Sequence, residues 1–294
     1  MTPSATQRSP AAEPAGGGRF ARNRVTATAS IEAVAGPGGT TRLPVLASQA
    51  PLVLRRTPEA VYLVGGAAGP LGGDSLALRI AVGPGAFLRV RTAAASIALP
   101  GPDGAESVLR VSATVADGGR LEYLPEPVVV TDGARHATLV SVTLAAGAAL
   151  VLRDEVLLGR HGEAGGTARS VLRVSCAGRP LLRQSLSVSG TDAVSLGPAV
   201  LAGHRAVGTL LRAGGAAPDR SATDADGTDD TDNTGLAGAG GSPGGDSADA
   251  TGRGPGQPTV AVLPLAGPGV LVTALADDAV ALRRRLESGL HGAV

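Results

Sequence analysis

The sequence contains no tryptophan and no lysine, a single cysteine, and only two tyrosines and two phenylalanines in 294 residues. Each shortage excludes something. Four rings, Phe20, Tyr62, Phe87 and Tyr123, make no platform on which bases or sugars could stack. Cys176 on its own allows neither an internal disulfide nor a cysteine-rich zinc site; it reads as a small residue at a strand edge or in the core. Without lysine, the G-x-x-x-x-G-K-[ST] phosphate loop is impossible despite 44 glycines. No stretch approaches the roughly 20 apolar residues that cross a bilayer as a helix. The opening MTPSATQRSPAAEPAGGG lacks a basic start followed by an apolar run, so residues 1–22 are expected to form a disordered tail and not a signal peptide. A cytoplasmic protein is the expectation.

What is present is unevenly distributed. Residues 213–258 hold no valine or isoleucine, and Leu236 is their one large aliphatic side chain. Such a segment cannot bury enough surface to offset its ordering entropy, so a disordered insert is expected there. Its eight Asp and two Arg give it a net charge of −6, within a chain of net charge +1. The other residues carry 24 arginines against 17 carboxylates, a net +7. A basic body of this kind suits an acidic protein partner; scattered arginines without neighbouring rings argue against nucleic acid.

The remainder alternates as a sheet does. In 24–34, Val25, Ala27, Ala29, Ile31 and Ala33 share one face, while Thr26, Thr28, Ser30 and Glu32 share the other. The pattern predicts further strands at 75–82, 86–92, 107–115, 137–144, 148–153, 169–175 and 181–189, then 259–263 and 270–275. A degenerate repeat links them: Val82-x-x-Gly85-x-x-Leu88-x-Val90 returns at Val115, Gly118, Leu121 and Tyr123, and again at Leu144, Gly147, Leu150 and Leu152. Each unit reads as strand, tight glycine turn, strand, compatible with a stacked or helical array and with a sandwich. After the insert, Asp277 is expected to cap a helix over 278–288. Ala279, Leu282, Leu286 and Leu290 would form its apolar face, Arg283–Arg285 its basic last turns, and Gly289 its stop. Because periodic structure resumes after 258, residues 23–294 are read as one domain interrupted by the insert.

Catalytic constellations are missing. There is no G-x-S-x-G elbow and no H-x-x-x-H pair, and His136, His161, His204 and His291 are far apart in the chain. The densest polar stretch is Arg153-Asp154-Glu155-Val156-Leu157-Leu158-Gly159-Arg160-His161-Gly162-Glu163. Asp154, His161 and Glu163 offer ligands for a borderline divalent cation such as nickel, while a hydrophilic loop closed by its own ion pairs explains the same residues. Arg160 cannot bind a cation and is expected to pair a carboxylate. Gly72-Gly73-Asp74 reads as a turn. Glu122 and Glu126 flank an exit from a strand made rigid by Pro125 and Pro127, neither of which can donate to a ladder.

These stretches, in this order, resemble the urease accessory protein UreD (UreH) family. The matching segments are QAPLVLRR, GPLGGD with SLALRIAV, RTAAASI at 91–97, LEYLPEPVVV at 121–130, LRDEVLLGRHGE at 152–163 and VLVTALADDAVALRRRL at 270–286. The family's strand near 91–97 often carries Gln and Lys where this chain has Ala93 and Ser96. The resemblance implies a mainly β fold, a stacked and helically wound strand array with a small C-terminal helix. It implies no catalysis of its own. It implies instead a scaffold that binds the urease apoprotein and recruits UreF, which holds the GTPase UreG, so that nickel is delivered to urease. Partners would be proteins, with no nucleic acid and no membrane. No cofactor would be tightly held, and Ni2+ would pass transiently through an internal polar passage. On this reading Asp154, His161 and Glu163 are candidate transit ligands, and Asp74, Glu122, Glu126 and Arg160 are structural or partner-contacting residues. The runner-up is a β-rich protein-binding module without a metal role; a hydrolase built on Asp154, His161 and Glu163 comes third.

Overall fold

A computed structural model describes residues 24–215 and 259–292. The N-terminal tail and residues 216–258 of the expected insert lie outside them. The insert begins later than its composition suggests. Ala213 and Gly214 complete a strand, because Ala213 is buried and pairs with Leu150 in the ladder.

Strands β1 (Thr26–Ala35), β2 (Thr41–Ala47), β3 (Leu52–Arg56), β4 (Val61–Gly65), β5 (Ser75–Val82) and β6 (Phe87–Thr92) open the fold. They are followed by β7 (Ser96–Ala98), β8 (Ser107–Val115), β9 (Arg120–Leu124), β10 (Val128–Val130), β11 (Arg135–Leu144) and β12 (Ala149–Leu158). Then come β13 (Thr167–Cys176), β14 (Arg179–Ser189), the short helix α1 (Ala193–Leu196) and β15 (Ala206–Gly214). Beyond the insert lie β16 (Val260–Pro264), β17 (Gly269–Ala276) and α2 (Ala279–His291).

The strands form two facing sheets. One has seven strands in the order β14-β13-β11-β8-β5-β1-β2. The other has ten, with β16-β17-β15-β12-β9-β6-β4-β3 as its main path and β10 and β7 set beside β12. From β1 through β5, β8 and β11 to β13, neighbours in the first sheet run parallel; so do β4, β6, β9 and β12 in the second. The chain therefore alternates between sheets as it advances, a β-solenoid, with antiparallel strands closing both ends.

The glycine repeat marks the corners of this coil. Gly85, Gly118 and Gly147 sit in the turns β5–β6, β8–β9 and β11–β12, each of which carries the chain from one sheet to the other. Gly85 and Gly118 adopt φ of 63° and 68°, which a side chain resists. Gly147 is required for another reason: its missing Cβ leaves room for Asp117 Oδ1, which accepts the Gly147 N–H at 2.8 Å. The two strands of a unit thus face each other across the core. The spacing identifies the unit, and only the parallel pairing distinguishes a solenoid from a sandwich.

Several strands escaped the alternation rule. β2, β3, β4, β7, β10 and β15 were not expected, and β12 runs on to Leu158 instead of ending at residue 153. In β12 and β15 both faces are covered: the inner by the opposite sheet, the outer by α2. Alternation needs one wet face. Consequently Asp154 and Glu155 lie in mid-strand and are no part of a loop.

The helix α2 packs Leu282, Leu286 and Leu290 onto the outer face of β15 and β17, each burial being worth about 1.5–3 kcal/mol. Its cap is Asp278, whose side chain accepts from the Ala281 N–H at 2.8 Å; Asp277 instead meets His204 Nδ1 at 2.9 Å. Gly289 does not stop the helix but lets it approach Val272 and Val260. Arg283 and Arg285 lie in mid-helix and reach the sheet, because the helix ends later than expected.

Candidate functional site

The core between the sheets is not continuous. A row of polar side chains divides it into two apolar clusters. On the ten-stranded sheet Asp154, Thr209 and Thr273 stand in register on adjacent strands. Each has an apolar neighbour from one cluster two residues before it and from the other two residues after it, as Leu152 and Val156 flank Asp154. On the seven-stranded sheet Thr138 and Ser170 are in register and both buried. Ser170 Oγ donates to Asp154 Oδ2 across the core, joining the two walls. Next to Thr138, His136 is 3% exposed, with Nδ1 2.8 Å from Ser107 Oγ and Nε2 3.3 Å from Thr138 Oγ1.

This seam is electrostatically costly. Burial pushes the Asp154 carboxyl above its usual range, and the Ser170 hydroxyl only partly offsets that. Burial, and then the Asp154 charge, hold the Tyr123 hydroxyl protonated far up the scale. Burial also lowers the His136 imidazole to about 4, against a smaller upward pull from Glu106, so the ring is neutral at physiological pH. Toward β4 and β6 the seam meets a cavity of about 470 Å³, whose lining includes Asp74, Thr92, Ser96, His136 and Arg160. A band of hydroxyls, one imidazole and one carboxylate therefore extends from a cavity through the middle of an otherwise apolar core.

The other expected residues are distributed around this seam and do not join Asp154. Among the described residues no group of three His, Cys, Asp or Glu side chains gathers that could hold a metal ion. His161 and Glu163 follow β12 in a tight loop. Glu163 accepts from the Arg160 backbone N–H at 2.9 Å and from Arg160 Nε at 2.8 Å. These bonds hold its carboxyl at about 2. Arg160 thus has the carboxylate partner expected of it. Arg205, which carries no local sequence signal, fastens the loop: its Nη2 donates to the carbonyls of Leu158, Arg160 and Glu163.

Asp74 is buried and structural, accepting from Val25 N–H at 3.0 Å and from Leu71 N–H at 2.9 Å. Glu122 pairs with Arg89 on the neighbouring strand at 2.6 Å. Glu126 lies between the two prolines that separate β9 from β10. In that gap Arg153 Nη2 donates to Pro125 O at 3.0 Å, replacing donors the ladder lacks. Arg153 also approaches Glu155, whose side chain is fully buried, at 3.4 Å. From α2, Arg283 completes the cluster with Glu155 at 2.7 Å and Glu126 at 3.0 Å. The charged cluster locks helix to sheet, on the far side of β12 from the seam.

A family model for the UreD urease accessory protein matches residues 26–292. The chain belongs to the UreD family. It is 41% identical to the urease accessory protein UreD of Parafrankia sp. (strain EAN1pec), over 91% of this chain and 88% of that one. Frankia alni UreD is 43% identical, covering 91% and 93%, and Streptomyces griseus UreD 3 is 43% identical, covering 91% and 96%. UreD proteins are accessory to urease maturation and not catalytic, which removes the hydrolase reading. The family match spans both sides of the insert.

Proposed function

We propose that this UreD protein is the cytoplasmic scaffold on which nickel is inserted into urease, binding the urease apoprotein and recruiting UreF and, through it, the GTPase UreG. Nickel is cargo here, not a resident cofactor. The observation that carries the reading is the polar seam, with Asp154 its carboxylate. Folding alone favours an apolar side chain there, since a carboxylate held in the core by one hydroxyl and no cation destabilises it. Hydroxyls and a lone carboxylate provide weak oxygen ligands, and a transit path needs an ion to leave as readily as it enters. Asp154 is the residue the ion meets inside the core. His161 and Glu163 belong to the loop after β12, where Arg160 already occupies the Glu163 carboxylate.

Asp154→Asn keeps the shape and removes the charge. With equal amounts of assembled complex, it is expected to slow urease activation at limiting nickel. Normal activation kinetics would favour the module without a metal role, a reading helped by the absence of a three-ligand cluster among the described residues. Glu163→Gln in the same assay decides whether the path includes the loop: slowed activation adds Glu163 to it, and unchanged kinetics leaves that residue to Arg160.

A further inference from the structure

Five arginines meet a carboxylate. Arg89 meets Glu122, Arg153 and Arg283 share Glu155, Arg160 holds Glu163, and Arg169 reaches Glu106 at 3.0 Å. The outer face of the seven-stranded sheet departs from this. Arg79, Arg110, Arg135, Arg173 and Arg183 are all exposed on its strands, where Glu32 is the only carboxylate. Arg110 donates to Ser75 Oγ at 3.2 Å, and Arg79, Arg173 and Arg183 have no side-chain partner among the described residues.

The register sharpens the point. Arg183, Arg173, Ser141, Ser112 and Arg79 stand in one row across five adjacent strands. With strands about 4.8 Å apart, Arg79 and Arg173 lie about 14 Å from each other. Arg173 and Arg183 are directly opposite across an antiparallel ladder. Like charges so placed destabilise a sheet, and no carboxylate among the described residues pairs with them. The side chains between the arginines are serines, which keep the face flat and add hydroxyl donors. No aromatic side chain stands on these strands to stack a base.

We propose that this face docks an acidic protein surface, whose carboxylates pair with the Arg173, Arg183 and Arg79 guanidinium groups. The planar guanidinium fork matches a carboxylate bidentately, and serine hydroxyls supplement it. The repulsion that the free chain tolerates is relieved when the partner is bound. This proposal rests on the scaffold reading and specifies which surface of the scaffold meets a partner and by what chemistry.

The opposed pair supplies a test that separates binding from folding. Arg173→Glu converts a repulsive cross-strand pair into an attractive one, so its thermal midpoint should equal or exceed that of the wild type. Binding of the purified full chain to apo-urease and to UreF is measured separately, at about 0.15 M salt and at high salt. For the partner that uses this face, Arg173→Glu and Arg183→Glu should each weaken binding about tenfold or more, with a smaller loss at high salt. Arg120→Glu, the same change on the outer face of the other sheet, should leave binding unaltered. If the wild type captures a partner and neither variant weakens it, the docking face is wrong while the scaffold survives. If the wild type captures neither protein, the scaffold reading falls and this one with it. Binding of a DNA duplex that Arg173→Glu abolishes, with partner binding unchanged, would overturn the proposal in favour of nucleic acid.

Discussion

Arg283→Met should loosen the helix α2 from the sheet, and the structure sets the size of the effect. Arg283 Nη2 lies 2.7 Å from Glu155, whose side chain has no exposed area, and Nη1 lies 3.0 Å from Glu126. Removing one partner of a fully buried pair costs about 3–5 kcal/mol, because the other charge stays behind unpaired. Two features reduce that here: Arg153 remains 3.4 Å from Glu155, and the Arg283 side chain is itself 26% exposed. A loss of about 2–3 kcal/mol is expected, which for a domain of this size lowers the thermal midpoint by roughly 5–10 °C. The chain has no tryptophan, so circular dichroism in a urea series is the suitable measurement. The slope of free energy against urea should be unchanged if only the native state is affected. Adding Glu155→Gln to Arg283→Met removes the stranded charge and should restore more than half of the loss. A single variant within about 0.5 kcal/mol of the wild type, or a second substitution that restores nothing, would refute the claim that this cluster fastens the helix.

Three further outcomes follow from the interior. His136 is held near 4 in the folded protein and titrates near 6.5 when unfolded, so the unfolded state takes up its proton first on acidification. Stability is then intact above pH 6.5 and falls by about 3 kcal/mol down to pH 4; His136→Gln should flatten that part of a pH series of urea midpoints. Asp154 has the opposite sign: its carboxyl is raised by burial, so the unfolded state ionises first and stability falls as pH rises from the ordinary carboxylate range through the raised value. Asp154→Asn should therefore raise the urea midpoint at pH 7 even as it slows urease activation, and a lower midpoint would show that the charge is structural. A Cβ on Gly208 would lie 3.0 Å from Leu286 and 3.1 Å from Leu282, so Gly208→Val should displace α2, read as faster proteolysis after residue 278 with the solenoid intact.

The seam shows most clearly how far one-dimensional reading extends. Asp154 was identifiable as a charged residue after an apolar strand, but its role could not be read from its neighbours. The strand continues, Asp154 faces inward and Glu155 outward, and two adjacent carboxylates acquire unrelated partners. Thr138, Ser170, Thr209 and Thr273 carry no local signal, since one hydroxyl in an apolar strand is ordinary. They become a feature only because strand register aligns them, through the parallel β11–β13 ladder and the antiparallel β12–β15 and β15–β17 ladders. The proximity in sequence of Asp154, His161 and Glu163 suggested a cluster, whereas the pleat turns Asp154 into the core and leaves the other two on a loop.

By itself the sequence determined the β class, the corner glycines of the coil, the C-terminal helix with its leucine face, and the family. All of these depend on local periodicity or on motifs held at fixed order, and both survive in one dimension. The tertiary structure alone decided the solenoid winding, the covered strands β12 and β15, the polar division of the core and the row of opposed arginines. These depend on register between strands distant in sequence, and register is set by long-range packing of both sheet faces, which no single strand encodes.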